Sequence, residues 1–221
     1  MTMATKEAET WIFWDISSCP VSSSDVASRV GPCIKRALKN LGYSGCITIT
    51  AIGILTDIDT DVLRAVYSSG VSLTHVSSER LGITLELMWW IKEHPIPANF
   101  MLISGDEIFR RNHRFFEEAG HTVIQKFPFD QQDIDSTPVP SPVWENFLES
   151  LKPDAIESGV LEKEPGLVCG QCCLPDQQGF ENFTKHLKTH VHVSPESSPR
   201  MMKRKQPEAS LNIFGEIPNV K

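Results

Sequence analysis

Two aspartates carry the chemistry this sequence could do. Asp15 stands in Trp14-Asp15-Ile16-Ser17 and Asp106 in Ile103-Ser104-Gly105-Asp106, each just after an apolar run that reads as a buried strand. In an open α/β sheet, ligands bind in the crevice outside the carboxyl ends of the strands, so the two are expected to meet in space. Converging carboxylates suit Mg²⁺ or Mn²⁺ and phosphodiester chemistry. Glu86, inside the helix expected before the Asp106 strand, is the natural third acid, with Leu85 and Leu87 available to bury on either side. Each acid also has a plain structural reading. Asp15 could cap the loop Ser17–Ser24, Asp106 could cap the next helix, and Glu86 could be a solvated helix-surface residue.

A second group lies near the other end of the chain. Cys169, Cys172 or Cys173, His186 and His190 follow the Zn²⁺-finger arrangement of two cysteines, a spacer and two histidines on one helical face. Cys172 gives a gap of two residues and a spacer of thirteen; Cys173 gives three and twelve. The tighter knuckle is favoured, and His192 is an alternative last ligand. Phe180, Phe183 and Leu187 would pack around the metal, which would supply most of the folding energy of so small a core. Tandem fingers read about three base pairs each, so a lone finger points to RNA or a protein partner rather than a promoter.

The elements that must position these groups follow from periodicity. Trp11–Ile16, Cys46–Gly53, Val71–Val76, Phe100–Ser104 and Thr122–Phe127 read as strands by their branched and aromatic content. Between them, Val26–Leu41, Asp61–Tyr67, Ile83–Glu93 and Phe109–Ala119 have helical spacing. Asp25 could cap the first helix, which must tolerate Pro32 near its first turns. Strand and helix in alternation predict a mostly parallel sheet with helices on both faces. Trp89 and Trp90 could stack bases, although the apolar helix around them places at least one in the core. Arg110, Arg111 and Arg114 could receive RNA phosphates, or form a solvated basic face balanced by Glu117 and Glu118.

Length and composition bound these readings. The 221 residues suggest one domain of roughly 100–200 residues plus something smaller. Proline-rich and acidic sequence follows Phe129, with a short helix expected at Trp144–Leu151. The expected organisation is therefore a domain at 8–130, a linker at 131–166, a finger at 167–192 and a tail at 193–221. A net charge of −7 excludes coating of nucleic acid by bulk electrostatics, so any contact with it must be local. No apolar run reaches the ~20 residues of a membrane span, and Met1–Thr10 lacks a secretory pattern, giving cytoplasm or nucleus as the expected location. Cys19, Cys33 and Cys46 read as small buried residues. Lys203-Arg204-Lys205 is a weak candidate nuclear signal.

Trp14-Asp15-Ile16, Cys19-Pro20, the stretch from Pro97 to Asp106 and Phe109 resemble the NYN domain, a branch of the PIN-like nuclease superfamily. The likeness covers roughly residues 8–130. It is nearest to plant proteins described as endonucleases with a C2H2-type zinc finger, and to the NYN domain of the meiosis regulator and mRNA stability factor. The resemblance implies a PIN-like three-layer α/β/α sandwich followed by a small C2H2 zinc finger. It also implies RNA cleavage by Asp15, Glu86 and Asp106 with Mg²⁺ or Mn²⁺, or else a degenerate domain that binds RNA or serves as an adaptor in RNA regulation. The chain departs from the family pattern at four points. Ser18 stands for the usual Asn, Glu86 for a helix Asp, Ile108 for a second Asp, and an Asp-Lys pair is missing from Glu79–Gly82.

Overall fold

The computed structural model describes residues 6–94, 96–106, 109, 113–124, 164–172 and 179–189. In chain order these form β1 (Thr10–Asp15), α1 (Ser24–Asn40), β2 (Ile47–Gly53), a 3-10 turn (Leu55–Asp57), α2 (Thr60–Ser68) and β3 (Ser72–His75). Then follow α3 (Glu79–Glu93), β4 (Asn99–Ile103), α4 (His113–Glu118), β5 (Thr122–Val123), β6 (Leu167–Cys169) and α5 (Phe180–Thr189). The expected helix at Trp144–Leu151, the tail at 193–221 and residues 131–163 of the expected linker lie outside the described residues.

All six strands join one sheet in the order β5-β4-β1-β2-β3-β6, and every pairing is parallel. The chain builds outward from β1 to β3, then crosses to the other side of β1 for β4 and β5. Strand order therefore reverses between β1 and β4, where Asp15 closes one strand and Asp106 follows the other.

Alternation along the central strand sorts the core into two layers, because successive side chains point to opposite faces. Ile12 and Trp14 join Ile49, Leu73, Met101 and the buried faces of α1 and α2 in one cluster. Phe13 joins Phe100 and the α3 residues Ile83, Leu87 and Trp90 in the other, with Trp11 packed against it. Trp90 is thus core, while Trp89 is half-buried.

Local details differ from the sequence expectation in instructive ways. Ser23, not Asp25, caps α1, its hydroxyl accepting from the Val26 amide at 3.3 Å. Asp25 falls in the first turn, where it pairs with Arg29 at 3.5 Å. Pro32 sits in the middle of α1, in its third turn rather than near its start. Cys46 is exposed rather than buried; it precedes β2, and its carbonyl accepts from the Thr10 amide. Cys19 and Cys33 are buried as expected.

Helices α1 and α2 meet almost backbone to backbone. A Cβ at Gly31 would lie 2.1 Å from the Ser69 carbonyl oxygen, so only glycine fits there. Gly31→Ala is expected to lower the unfolding free energy by about 1–3 kcal/mol through overpacking; an unchanged urea midpoint would refute this close approach.

Buried His121 sits in the second layer, with its ring 4.9 Å from that of Trp90. Burial holds its pKa below the ordinary histidine value. The unfolded chain takes up this proton near pH 6.5, roughly, and the folded chain only at lower pH. Stability is therefore full above that pH and is lost as pH falls from there through the folded value. Between pH 7.5 and 5, His121→Phe is expected to lose less Tm than the unaltered chain; parallel pH slopes would contradict the assignment.

Candidate functional site

At the point of strand reversal, Asp15 is buried to 3% exposure and held by three donors. Its Oδ2 accepts from the Ser18 hydroxyl at 2.5 Å and the Ser104 hydroxyl at 2.7 Å, and its Oδ1 accepts from the Ser18 amide at 3.2 Å. The same two hydroxyls serve as acceptors. Ser18 Oγ takes the Gly105 amide at 2.9 Å, and Ser104 Oγ takes the Asp106 amide at 3.0 Å. One proton assignment satisfies the whole set: both serines donate to Asp15 and receive from the backbone after β4.

This network welds the loop after β1 to the loop after β4. Its local geometry follows from the sequence: β1 ends at Asp15, the chain turns with the Cys19 amide donating to the Asp15 carbonyl at 3.0 Å, and Trp14 Nε1 donates to the Cys19 carbonyl at 2.8 Å. Burial pushes the Cys19 thiol up to about 11, with the Ser18 hydroxyl opposing and the Asp15 charge adding to the rise. Cys19 is accordingly a protonated packing residue at neutral pH, unsuited to nucleophilic or ligand chemistry. Gly53, at the end of β2, also belongs to this crevice: a Cβ there would come within 2.6 Å of the Ser17 hydroxyl.

Asp106 lies at the mouth of the crevice, its side chain 19% exposed, and its Oδ2 takes Arg80 Nε at 2.6 Å. Arg80 belongs to the first turn of α3 and is itself exposed. Glu86 is half-buried six residues further along the same helix. Asp15, Glu86 and Asp106 do not draw together tightly. Among the described residues, the group of three Cys, His, Asp or Glu side chains with ligand atoms all within 4.8 Å of one another is Cys169, Cys172 and His186.

Sequence reasoning missed two participants. The sequence places Ser104 at a strand end near Asp106 without giving it a role, and Arg80 only in a segment lacking an Asp-Lys pair. The signal for Ser104 was its place beside Gly105 at a strand end, where a short hydroxyl can reach across to the neighbouring strand. Ser18, which stands for the usual Asn, bridges Asp15 and the Gly105 amide. Arg110 and Arg111, as well as Ile108, lie outside the described residues, and Arg114 is located only as part of α4. Cys173, His190 and His192 also lie outside them.

The donor set is all oxygen, two carboxylates with serine hydroxyls that link Asp15 to the backbone amides after β4, and oxygen is what a hard dication such as Mg²⁺ or Mn²⁺ takes. A carboxylate offers about four lone-pair positions. Ser18 and Ser104 donate to Oδ2 of Asp15, whereas Oδ1 accepts one amide, so the carboxylate keeps lone pairs beyond those three bonds. The residues therefore fit such an ion, provided that Asp106 exchanges its contact with Arg80.

An all-parallel α/β sheet of six strands with helices, carrying acids where its strand order reverses, fits a PIN-like NYN domain. The chain belongs to the NYN domain family, which it matches over residues 9–129. No relative among curated proteins matches the chain.

Ser104→Ala removes the hydroxyl that joins Asp15 to the Asp106 amide. Loss of stability by about 1–3 kcal/mol is expected, since buried polar partners are left unmatched; urea unfolding with no measurable change would show that the weld is not energetically significant.

Proposed function

We propose that this protein is a metal-dependent RNA endonuclease. The observation that carries the reading is the pinning of Asp15 by Ser18 and Ser104, which also take the Gly105 and Asp106 amides at the reversal point of the sheet. Asp15 and Asp106 would hold Mg²⁺ or Mn²⁺, with Glu86 completing or orienting the site. The ion, when bound, lowers the pKa of an attacking water and offsets charge on the phosphate. The residues of the chain contribute position. Ser18 and Ser104 fix the rotamer of Asp15, and Arg80, once exchanged from Asp106, is placed to pair with an RNA phosphate. Arg110, Arg111 and Arg114 are further candidates for phosphate contact. Zn²⁺ at Cys169, Cys172 and His186, with His190 as the fourth ligand, is structural, and the segment around it is a candidate surface for a protein partner. Cytoplasm and nucleus both suit RNA as substrate. Among the described residues, no helix is long and apolar enough to cross a membrane.

A second reading, an RNA-binding or adaptor protein without catalysis, is favoured by one specific contact. Arg80 neutralises Asp106 within the protein itself, and the sequence places apolar Ile108 where the family usually has an acid. Cleavage of single-stranded RNA by the purified full chain decides between the two. With Mn²⁺ or Mg²⁺, and with EDTA as a control, Asp15→Asn and Asp106→Asn are expected to reduce the rate by roughly 100-fold or more, because positioning and electrostatics carry this chemistry. Absence of cutting above the variant background, in a folded sample that binds RNA, would establish the second reading instead.

A further inference from the structure

The Cys/His group is built into the NYN sheet. Its first ligand, Cys169, ends β6, which pairs with β3 so that Leu73, Thr74 and His75 stand opposite Leu167, Val168 and Cys169. The Leu73 amide donates to the Gly166 carbonyl at 2.9 Å, the Gly170 amide to the His75 carbonyl at 2.8 Å, and the Gly166 amide to the Ser72 hydroxyl at 2.9 Å. Cys172 follows in the turn after β6. His186 comes from α5, which packs against α2 and the 3-10 turn.

That packing is apolar and specific. Leu167, Phe180, Phe183 and Leu187 lie in the same buried cluster as Ile12, Leu63 and Leu73, so the residues expected to form a separate small core instead extend the main one. The Phe180 ring lies 5.6 Å from that of Tyr67, and the Arg64 guanidinium stands 4.7 Å over Phe180 while pairing with Glu181. His75 links the two sides: its carbonyl receives Gly170, and its Nδ1 accepts from the Leu55 amide at 3.1 Å.

We propose that a Zn²⁺ ion held by Cys169, Cys172 and His186 staples β6 and α5 onto the β3 edge of the NYN sheet, as an integral part of that domain. The inference rests on the reading of this group as a Zn²⁺ site. Two thiolates and an imidazole are soft and borderline donors that select zinc over the hard ions suited to the acidic crevice. A strand of three residues holds few ladder bonds of its own, and Cys169 lies at 1% exposure beside His75. A bond from the end of that strand to the helix above it closes the sheet edge from both directions. Removing the ion therefore loosens β6 and α5 together, and with them the covering of β3 and α2.

The test uses the full chain, with metal content by mass spectrometry and amide exchange before and after chelation and Zn²⁺ return. About one zinc per chain is expected, lost in Cys169→Ser and Cys172→Ser and retained in Asp15→Asn, which separates this site from the acidic crevice whatever the outcome for RNA cleavage. Chelation of the unaltered protein is expected to speed exchange at least tenfold in Ser72–His75 and Thr60–Ser68 as well as in Leu167–Cys169 and Phe180–Thr189, reversibly on adding Zn²⁺, while β1 and β4 stay protected. Faster exchange confined to β6 and α5 would overturn the staple and leave an autonomous finger. No stoichiometric zinc after incubation with the ion and removal of excess would overturn the metal site itself. Because chelation is applied to the unaltered chain, misfolding of a cysteine variant does not decide the result.

Discussion

A buried carboxylate must be surrounded by donors, and that requirement at Asp15 organises the centre of this molecule. Three hydrogen bonds reach it from two loops that are 86 or more residues apart in sequence, as the contact between Ser18 and Ser104 illustrates. Meeting the need fixes the spacing of β1 and β4 at their carboxyl ends. It also orients the Gly105 and Asp106 amides, so the second acid is delivered by the backbone that the first one holds. The parallel sheet makes this possible, since only parallel neighbours present the same end of both strands to one crevice.

Charge at the crevice is arranged unequally. Asp15 is enclosed and satisfied by neutral donors, while Asp106 is at the rim and paired with an exposed arginine. An exposed ion pair of that kind has a small net stability, typically 0–1 kcal/mol, so Arg80 and Asp106 can separate at little cost. The inner acid is fixed and the outer one exchangeable. Such a division suits a site that must hold its geometry while accepting a charged ligand.

Much of the fold is legible in the sequence because its signals are local. Branched and aromatic runs at Trp11–Ile16 and Phe100–Ser104, and helical spacing from Val26 to Leu41, each place an element within a few residues of its true bounds, and alternation of type dictates the parallel sheet. The acids could be located for the same reason, as strand-end residues. What was not legible is side-chain reach between distant segments. Nothing adjacent to Ser104 in the chain announces Asp15, and nothing near Arg80 announces Asp106. The same holds for the Cys169–His186 segment: its spacing encodes ligands, but the destination of Leu167 and Phe183 depends on an edge of β3 that is uncovered until the chain returns to it.

That return has a consequence during synthesis. The ribosome releases β3 well before β6, with α3, β4, α4 and β5 emerging in between, so the nascent sheet carries an open edge of backbone donors and acceptors through most of its assembly. Open edges recruit strands from other chains. A transcript that ended before residue 164 would encode the acidic crevice intact yet leave β3 permanently unguarded, exposing Leu73 and the apolar side of α2 to self-association.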